Sequence, residues 1–319
     1  MIMNVSPHVR CNDNSKKIML NVVIALLPAT IMGIVYFGLN ALLIVALSVI
    51  SAVVFEWLYL LILKKPFKNI LKEFDFTSVV TGLIIGLILN SNAPWYVPIL
   101  ASLFAIVVVK MLFGGTGFNI VNPACAGRIF VFISFTIALE SFTLPSINAI
   151  NNTLITGATS LKSLLTDGTT LTNLDLFLGT GVAGCIGETC KPALLLGFIY
   201  LICTRTIDFK WPLISLITIG LSATMLEGFN FNYFLPSILS GGAMFACIFM
   251  ATDYTTSPKT TLAQYIYYIV LGFLVALLRK VIGYEAISFA ILLMNLLVPL
   301  FDKYFIIRPF GYKRVKKVK

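Results

Sequence analysis

In a chain as apolar as this one, the residues able to do chemistry are few. Four ionisable side chains, Glu56, Lys110, Arg128 and Asp253, fall in or beside long hydrophobic runs. A charge inside a bilayer is costly, so each is a candidate for an ion path or for contact with a bound group. Glu56 has two readings: a functional acid within the membrane, or a side chain among the cytoplasmic headgroups. Lys110 reads as a stem that snorkels its ammonium to the interface. Arg128 and Asp253 could contact a cofactor, another subunit or a transported ion. A different chemistry is offered by Thr156-Gly157-Ala158-Thr159. This small-residue turn presents a threonine hydroxyl without steric cover, and taken alone it reads as a plain loop. Cys185 and Cys190 form a C-x4-C pair that could make a disulfide, share a metal with another subunit, or do neither. The six cysteines lack the close multiple spacing of a zinc or ferredoxin-type site. His8 is the only histidine, which excludes a haem held by two histidines of this chain.

The elements that must carry these residues are helices in a membrane. Hydrophobic residues make up 59% of the 319, charged residues 11%, and the mean hydropathy is +0.97. A soluble domain of this size needs more charge to cover its surface. Blocks such as Ile18 to Leu39 and Ala41 to Leu63 are each long enough to cross a hydrocarbon core of about 30 Å. They do not alternate with period two, which argues against a barrel. Hydropathy and turn signals predict an all-α polytopic membrane protein of about ten transmembrane helices. The spans fall at 18–38, 41–63, 77–90, 96–113, 122–140, 191–204, 211–227, 232–251, 263–281 and 285–302. Two of them, 77–90 and 191–204, are short, so broken or strongly tilted helices are expected there. Asn122-Pro123 reads as the start of a half-helix whose dipole could face an electron-rich group. Trp57, Trp95 and Trp211 are expected in interfacial belts.

The formal charge of +10 sits beside hydrophobic ends, at Lys16 and Lys17, Lys64 to Lys72, and Lys313 to Lys319. That is a positive-inside pattern rather than a nucleic-acid surface. It puts both termini in the cytoplasm and the stretch between Glu140 and Lys191 outside. The first apolar run is too long for a cleavable signal, so none is expected. Arg279 and Lys280 lie at an outer end, against the rule. Weak likeness between the halves predicts a 5+5 inverted repeat: Phe104, Lys110, Gly114 and Asn122–Arg128 match Leu274, Arg279, Gly283 and Ala286–Asn295. Residues 1–140 would form the first repeat, 141–190 an extracytoplasmic loop, 191–302 the second repeat and 303–319 a basic cytoplasmic tail.

Several segments in order along the chain resemble the RnfD/NqrB family. They include Ser6-Pro7-His8-Val9-Arg10, Phe55-Glu56, Ser78 to Leu83, Phe113-Gly114-Gly115, Asn122-Pro123-Ala124 and Arg128. Further on come Gly187-Glu188-Thr189, Phe249 to Tyr254, and Arg308-Pro309-Phe310-Gly311. The length is nearer to RnfD. The resemblance implies a membrane subunit of a complex that couples electron transfer between ferredoxin and NAD to sodium-ion or proton movement. It implies FMN held on Thr159 by a phosphoester that a flavin transferase makes, with Gly157 and Ala158 giving the backbone room. It also implies a second, non-covalent riboflavin. Where the family has an acidic residue before the tetrapeptide, this chain has Thr153. No Rossmann fingerprint or iron–sulfur ligand set is present, so ferredoxin and NAD would dock on partner subunits. The rival reading is a channel or facilitator for a small polar solute, which would have no use for a flavin acceptor.

Overall fold

The computed structural model describes residues 14–64, 66–68, 74–139, 141–145, 172–283 and 286–305. Among these residues the chain is helical and has no β-strand. The first helix, α1 (Ser15–Ile62), has 48 residues and would run about 72 Å if straight, more than twice a hydrocarbon core. Its backbone leaves the helical region at Gly38 (φ 71°, ψ −154°), so α1 is two helices meeting at that glycine. The break falls between the expected spans 18–38 and 41–63.

There follow α2 (Thr77–Ile88), α3 (Tyr96–Leu103), α4 (Pro123–Ser134) and the short α5 (Thr136–Leu139). The helix α3 continues without interruption as a π-helix over Phe104–Met111. Asn122 caps α4 by accepting from the backbone N–H of Ala124 and Cys125, with Pro123 in the first turn where a missing N–H costs nothing. In the second half, α6 (Asn173–Leu178) opens with a Thr172–Asp175 capping box. The Thr172 hydroxyl bond holds the Asp175 carboxyl below the usual range. Then come α7 (Lys191–Cys203), α8 (Lys210–Leu226), α9 (Phe234–Leu239), α10 (Ala243–Phe245), α11 (Thr261–Val281) and α12 (Ala286–Tyr304). A second π-helix, Ala246–Met250, extends α10.

By length and apolarity α1, α11 and α12 suffice to cross a membrane, and the bent pair Phe231–Leu239 and Ala243–Met250 makes a fourth. The others are apolar but shorter. Of the two alternatives expected for the short spans, breakage is not found. The short runs at 77–90 and 191–204 form continuous helices, α2 and α7. The break lies instead within 232–251, where the chain turns by 67° at Ser240-Gly241-Gly242. Gly241 takes up φ +59°, a conformation in which glycine is at no disadvantage.

Hydrogen bonds sort the connections into two ends. At one end Asn21 donates to Thr206 (3.3 Å), Asn119 to Thr255 (3.0 Å) and the Lys259 N–H to Asp302 (3.1 Å). At the other, Asn90 donates to the carbonyls of Leu139 and Ser141, Tyr36 to that of Leu178 (3.0 Å), and the Ile186 N–H to Leu89 (3.1 Å). Alternate connections fall at alternate ends, as helices traversing one layer require. We call the first end inner and the second outer, following the charge pattern. Close packing in the layer depends on small residues: a Cβ on Gly82 would lie 2.7 Å from the Val49 Cα, and one on Gly86 2.9 Å from the Val45 Cα. These two glycines, four apart, let α2 lie directly on the second arm of α1.

Candidate functional site

At the inner end segments from both halves of the chain meet around an open cleft. Its wall includes Thr77, Lys110, Asn119, Asn122, Asp253 and Thr255. Lys110 comes from the last turn of the π-helix, Thr77 from the start of α2, and Asn122 from the cap of α4. Lys110 does not snorkel. It is 3% exposed, and its ammonium donates to Glu56 at 2.6 Å and to the Thr77 hydroxyl. Glu56, 7% exposed on the second arm of α1, is therefore a buried ion-pair partner. The lysine stem is turned inward, where its ammonium neutralises a carboxylate that would otherwise be buried without a cation. The second carboxylate oxygen of Glu56 has no hydrogen-bond partner, nor does the Trp57 indole N–H. Both residues line a neighbouring cavity with Phe74, Asp75, Gly115 and Thr116. Lys110 thus stands between the cleft and that cavity.

Asp253 lies on the same inner cleft, in the turn after the second π-helix. It accepts from the hydroxyls of Thr255 (2.9 Å) and Thr256 (3.2 Å). Burial pushes its carboxyl above the usual range, and the threonine hydrogen bonds work against that shift. The two halves are tied together nearby. Asn122 donates to the Met250 carbonyl at 3.0 Å, and the buried Asn295 amide, oriented by its surroundings, accepts from the Asn122 N–H and donates to the Thr256 carbonyl.

Arg128 stands apart from these, further along α4. It is 8% exposed and donates to the Cys185 sulfur at 3.4 Å. Cys185 and Cys190 are both buried thiols, not joined to each other, and no metal-holding cluster of His, Cys, Asp or Glu occurs among the described residues. Of the tryptophans, Trp95 is exposed, whereas Trp211 stacks on Tyr268 at 5.5 Å. The turn Thr156-Gly157-Ala158-Thr159 and Thr153 lie outside the described residues. The described ends of that loop, at 141–145 and 172–190, both lie at the outer end.

Sequence reasoning passed over a second charged cluster at the outer end. Lys191 (3% exposed) and Arg279 (8% exposed) converge on the break between α9 and α10. Lys191 donates to the carbonyls of Glu188 and Gly241, and Arg279 to those of Ser237 and Ser240. Carbonyls orphaned by a broken helix need donors, and cations suit a helix C-terminus. The available signal was Gly241-Gly242 inside an apolar run, together with Arg279 and Lys280 at an end where the charge pattern expects no basic residues.

A polytopic helical membrane protein whose charged residues are buried between its helices is the class that this arrangement defines. The sequence profile of the NQR2, RnfD, RnfE family matches residues 2–311, and the chain belongs to that family. It is 39% identical over 321 residues to the D subunit of the Na(+)-translocating ferredoxin:NAD(+) oxidoreductase complex of Acetobacterium woodii, covering 99% of this chain and 97% of that one. The D subunit of the proton-translocating ferredoxin:NAD(+) oxidoreductase complex of Clostridium ljungdahlii is 34% identical, with 97% and 96% covered. The D subunit of the ion-translocating oxidoreductase complex of Stutzerimonas stutzeri is 33% identical, with 93% and 92% covered.

Proposed function

We propose that this chain is the D subunit of an Rnf-type complex, a redox-driven translocase that moves sodium ions or protons as electrons pass between ferredoxin and NAD. The observation that carries the reading is the 39% identity, along 99% of the chain, to the corresponding protein of Acetobacterium woodii. In this role the chain sits in the cytoplasmic membrane with both termini inside, and has no complete turnover by itself. It carries FMN on Thr159 in an extracytoplasmic loop, attached by a flavin transferase, and relays electrons among partner subunits that bind ferredoxin and NAD. A non-covalent riboflavin completes its cofactors. Glu56, Lys110, Arg128 and Asp253 are its candidates for an ion or flavin pathway.

FMN supplies reversible electron transfer, and the chain supplies its attachment and surroundings. A phosphoester survives denaturation, so the full chain made with its transferase should give a yellow-green fluorescent band in a denaturing gel. Mass spectrometry should place FMN on a peptide containing Thr159. Thr159→Ala should abolish the band, Thr156→Ser should keep it, and Thr153→Asp should leave it equal or stronger. A band that persists in Thr159→Ala would move the attachment elsewhere, and no band in the unaltered chain would sink the flavoprotein reading.

A further inference from the structure

The cavity beside Glu56 and Trp57 differs in chemistry from the cleft that holds Asp253. It opens at the inner end, between the last turns of α1, the residues leading into α2 and the turn after the first π-helix. Its volume is about 530 Å³, far beyond the water-sized voids that close packing leaves in a protein interior. Rings form one side of it: Trp57 and Phe74 meet edge to face at 6.2 Å, and Phe67 lies against the Trp57 ring at 5.8 Å. Tyr59, Leu63 and Leu112 extend the wall, and the half-buried Asp75 gives it a charge.

Capping a helix explains only half of that carboxylate. At the start of α2, Asp75 Oδ1 accepts from the Thr77 N–H at 3.2 Å and from the Thr77 hydroxyl at 2.7 Å. Among the described residues, neither a hydrogen bond nor an ion pair occupies Oδ2. Glu56 borders the same cavity, but Lys110 cancels its charge and its unpartnered oxygen is sealed from solvent. The described wall therefore carries the one negative charge of Asp75, at an end where Lys64, Lys68 and Lys259 stand exposed. Those lysines suit anionic headgroups, whereas an acid among aromatic rings repels them. A bare metal ion seeks oxygens on all sides, and most of this wall offers none. An organic cation fits both parts: the carboxylate takes its charge, and the rings attract it and cover its stem.

We propose that this cavity is a contact between subunits, filled by a Lys or Arg side chain of another subunit of the complex. The assignment rests on the reading of this chain as one subunit among several. Asp75 Oδ2 accepts from the incoming ammonium or guanidinium, and Trp57 and Phe74 flank its stem. The cavity lies at the cytoplasmic end of the proposed topology, where a partner presents such a side chain without drawing its charge across the bilayer. The contact is selective, because an uncharged side chain in the same place would leave Asp75 desolvated and unpaired.

The test uses the whole complex, isolated through a tag on this chain. A photo-reactive benzoylphenylalanine replaces Leu112, an exposed residue on the cavity wall, and the crosslinked peptides are sequenced after irradiation. They should join position 112 to one other subunit, beside a Lys or Arg of that subunit. Asp75→Asn keeps an oxygen for Thr77 but loses the charge, and should let that subunit leave the immobilised complex about tenfold faster. Asp75→Glu should stay nearer the parent rate. The charge-swapped pair, Asp75→Arg with the crosslinked basic residue changed to Asp, should recover most of the loss, which a folding defect would not. Crosslinks to lipid alone would overturn the contact in favour of a headgroup. An unchanged departure rate in Asp75→Asn would overturn it while leaving the complex intact. A tagged parent chain that isolates no other subunit would overturn the subunit reading itself.

Discussion

Replacing Lys110 with Met keeps most of the stem and removes the charge that Glu56 faces. The cost can be worked from the contacts. Lys110 and Glu56 are 2.6 Å apart and nearly inaccessible, and Glu56 already has one oxygen without a partner. Thr77 loses little, because its hydroxyl also has the Asp75 carboxylate at 2.7 Å. The loss therefore falls on Glu56, left as a desolvated carboxylate with no cation. Breaking a buried pair from one side costs about 3–5 kcal/mol, whereas neutralising both partners is close to neutral. Lys110→Met should accordingly be strongly destabilised, Glu56→Gln likewise, and the double variant should recover most of the loss. Denaturant unfolding in detergent, read by a thiol-reactive dye, gives the measurement, because Cys125, Cys185, Cys190 and Cys247 are buried. Cys11 and the exposed Cys203 are replaced beforehand in every variant. A single Lys110→Met within about 1 kcal/mol of the parent, or a double variant no better than the worse single, would refute the buried-pair account.

Three further outcomes are expected. A cysteine placed at Lys162 should react with a membrane-impermeant reagent on intact cells, and one at Lys68 should not; the reverse would invert the proposed topology. Gly82→Ala should cost about 1–3 kcal/mol, since the new methyl meets the backbone of Ser48 and Val49 and not a movable side chain. An unchanged unfolding curve would mean that α1 and α2 are not in such close contact. Asp253 gives a pH signature. Its folded carboxyl holds its proton more tightly than the unfolded one, so stability should fall as pH rises from the ordinary carboxylate value through the raised one, and level off above it. Asp253→Asn should flatten that slope, and an equally steep slope in the variant would locate the titrating group elsewhere.

The helices were legible because a membrane forces long apolar runs, and a run such as 263–281 needs no partner to be recognised. What neighbours do to one another was not legible. Lys110 and Glu56 are 54 positions apart, and nothing in either local sequence tells an inward-turned lysine from one that reaches the headgroups. The same limit hid the break in 232–251, whose hydropathy is continuous across Gly241-Gly242; glycine pairs also occur within unbroken membrane helices. Short length proved a poor guide to breakage, since α2 and α7 are short and intact. Of the candidate residues, Glu56 and Lys110 proved to be partners, Asp253 shares the cleft of Lys110, and Arg128 contacts the outer segment that carries Cys185.

The π-helical turn that ends in Lys110 has a consequence for how this sequence can change. A π-turn holds one residue more than an α-turn in nearly the same rise, so Phe104–Met111 amounts to an α-helix with a single-residue insertion absorbed inside it. Deleting one of those residues would leave the hydropathy almost untouched, restore a regular α-helix and keep the turns on either side in nearly their present register. A further residue inserted in the regular turns of α3 has no such outlet and would turn Lys110 about 100° away from Glu56 and Thr77. Tolerance to length change in this segment should therefore be one-sided: loss of a residue between Phe104 and Lys110 is easier to absorb than a gain.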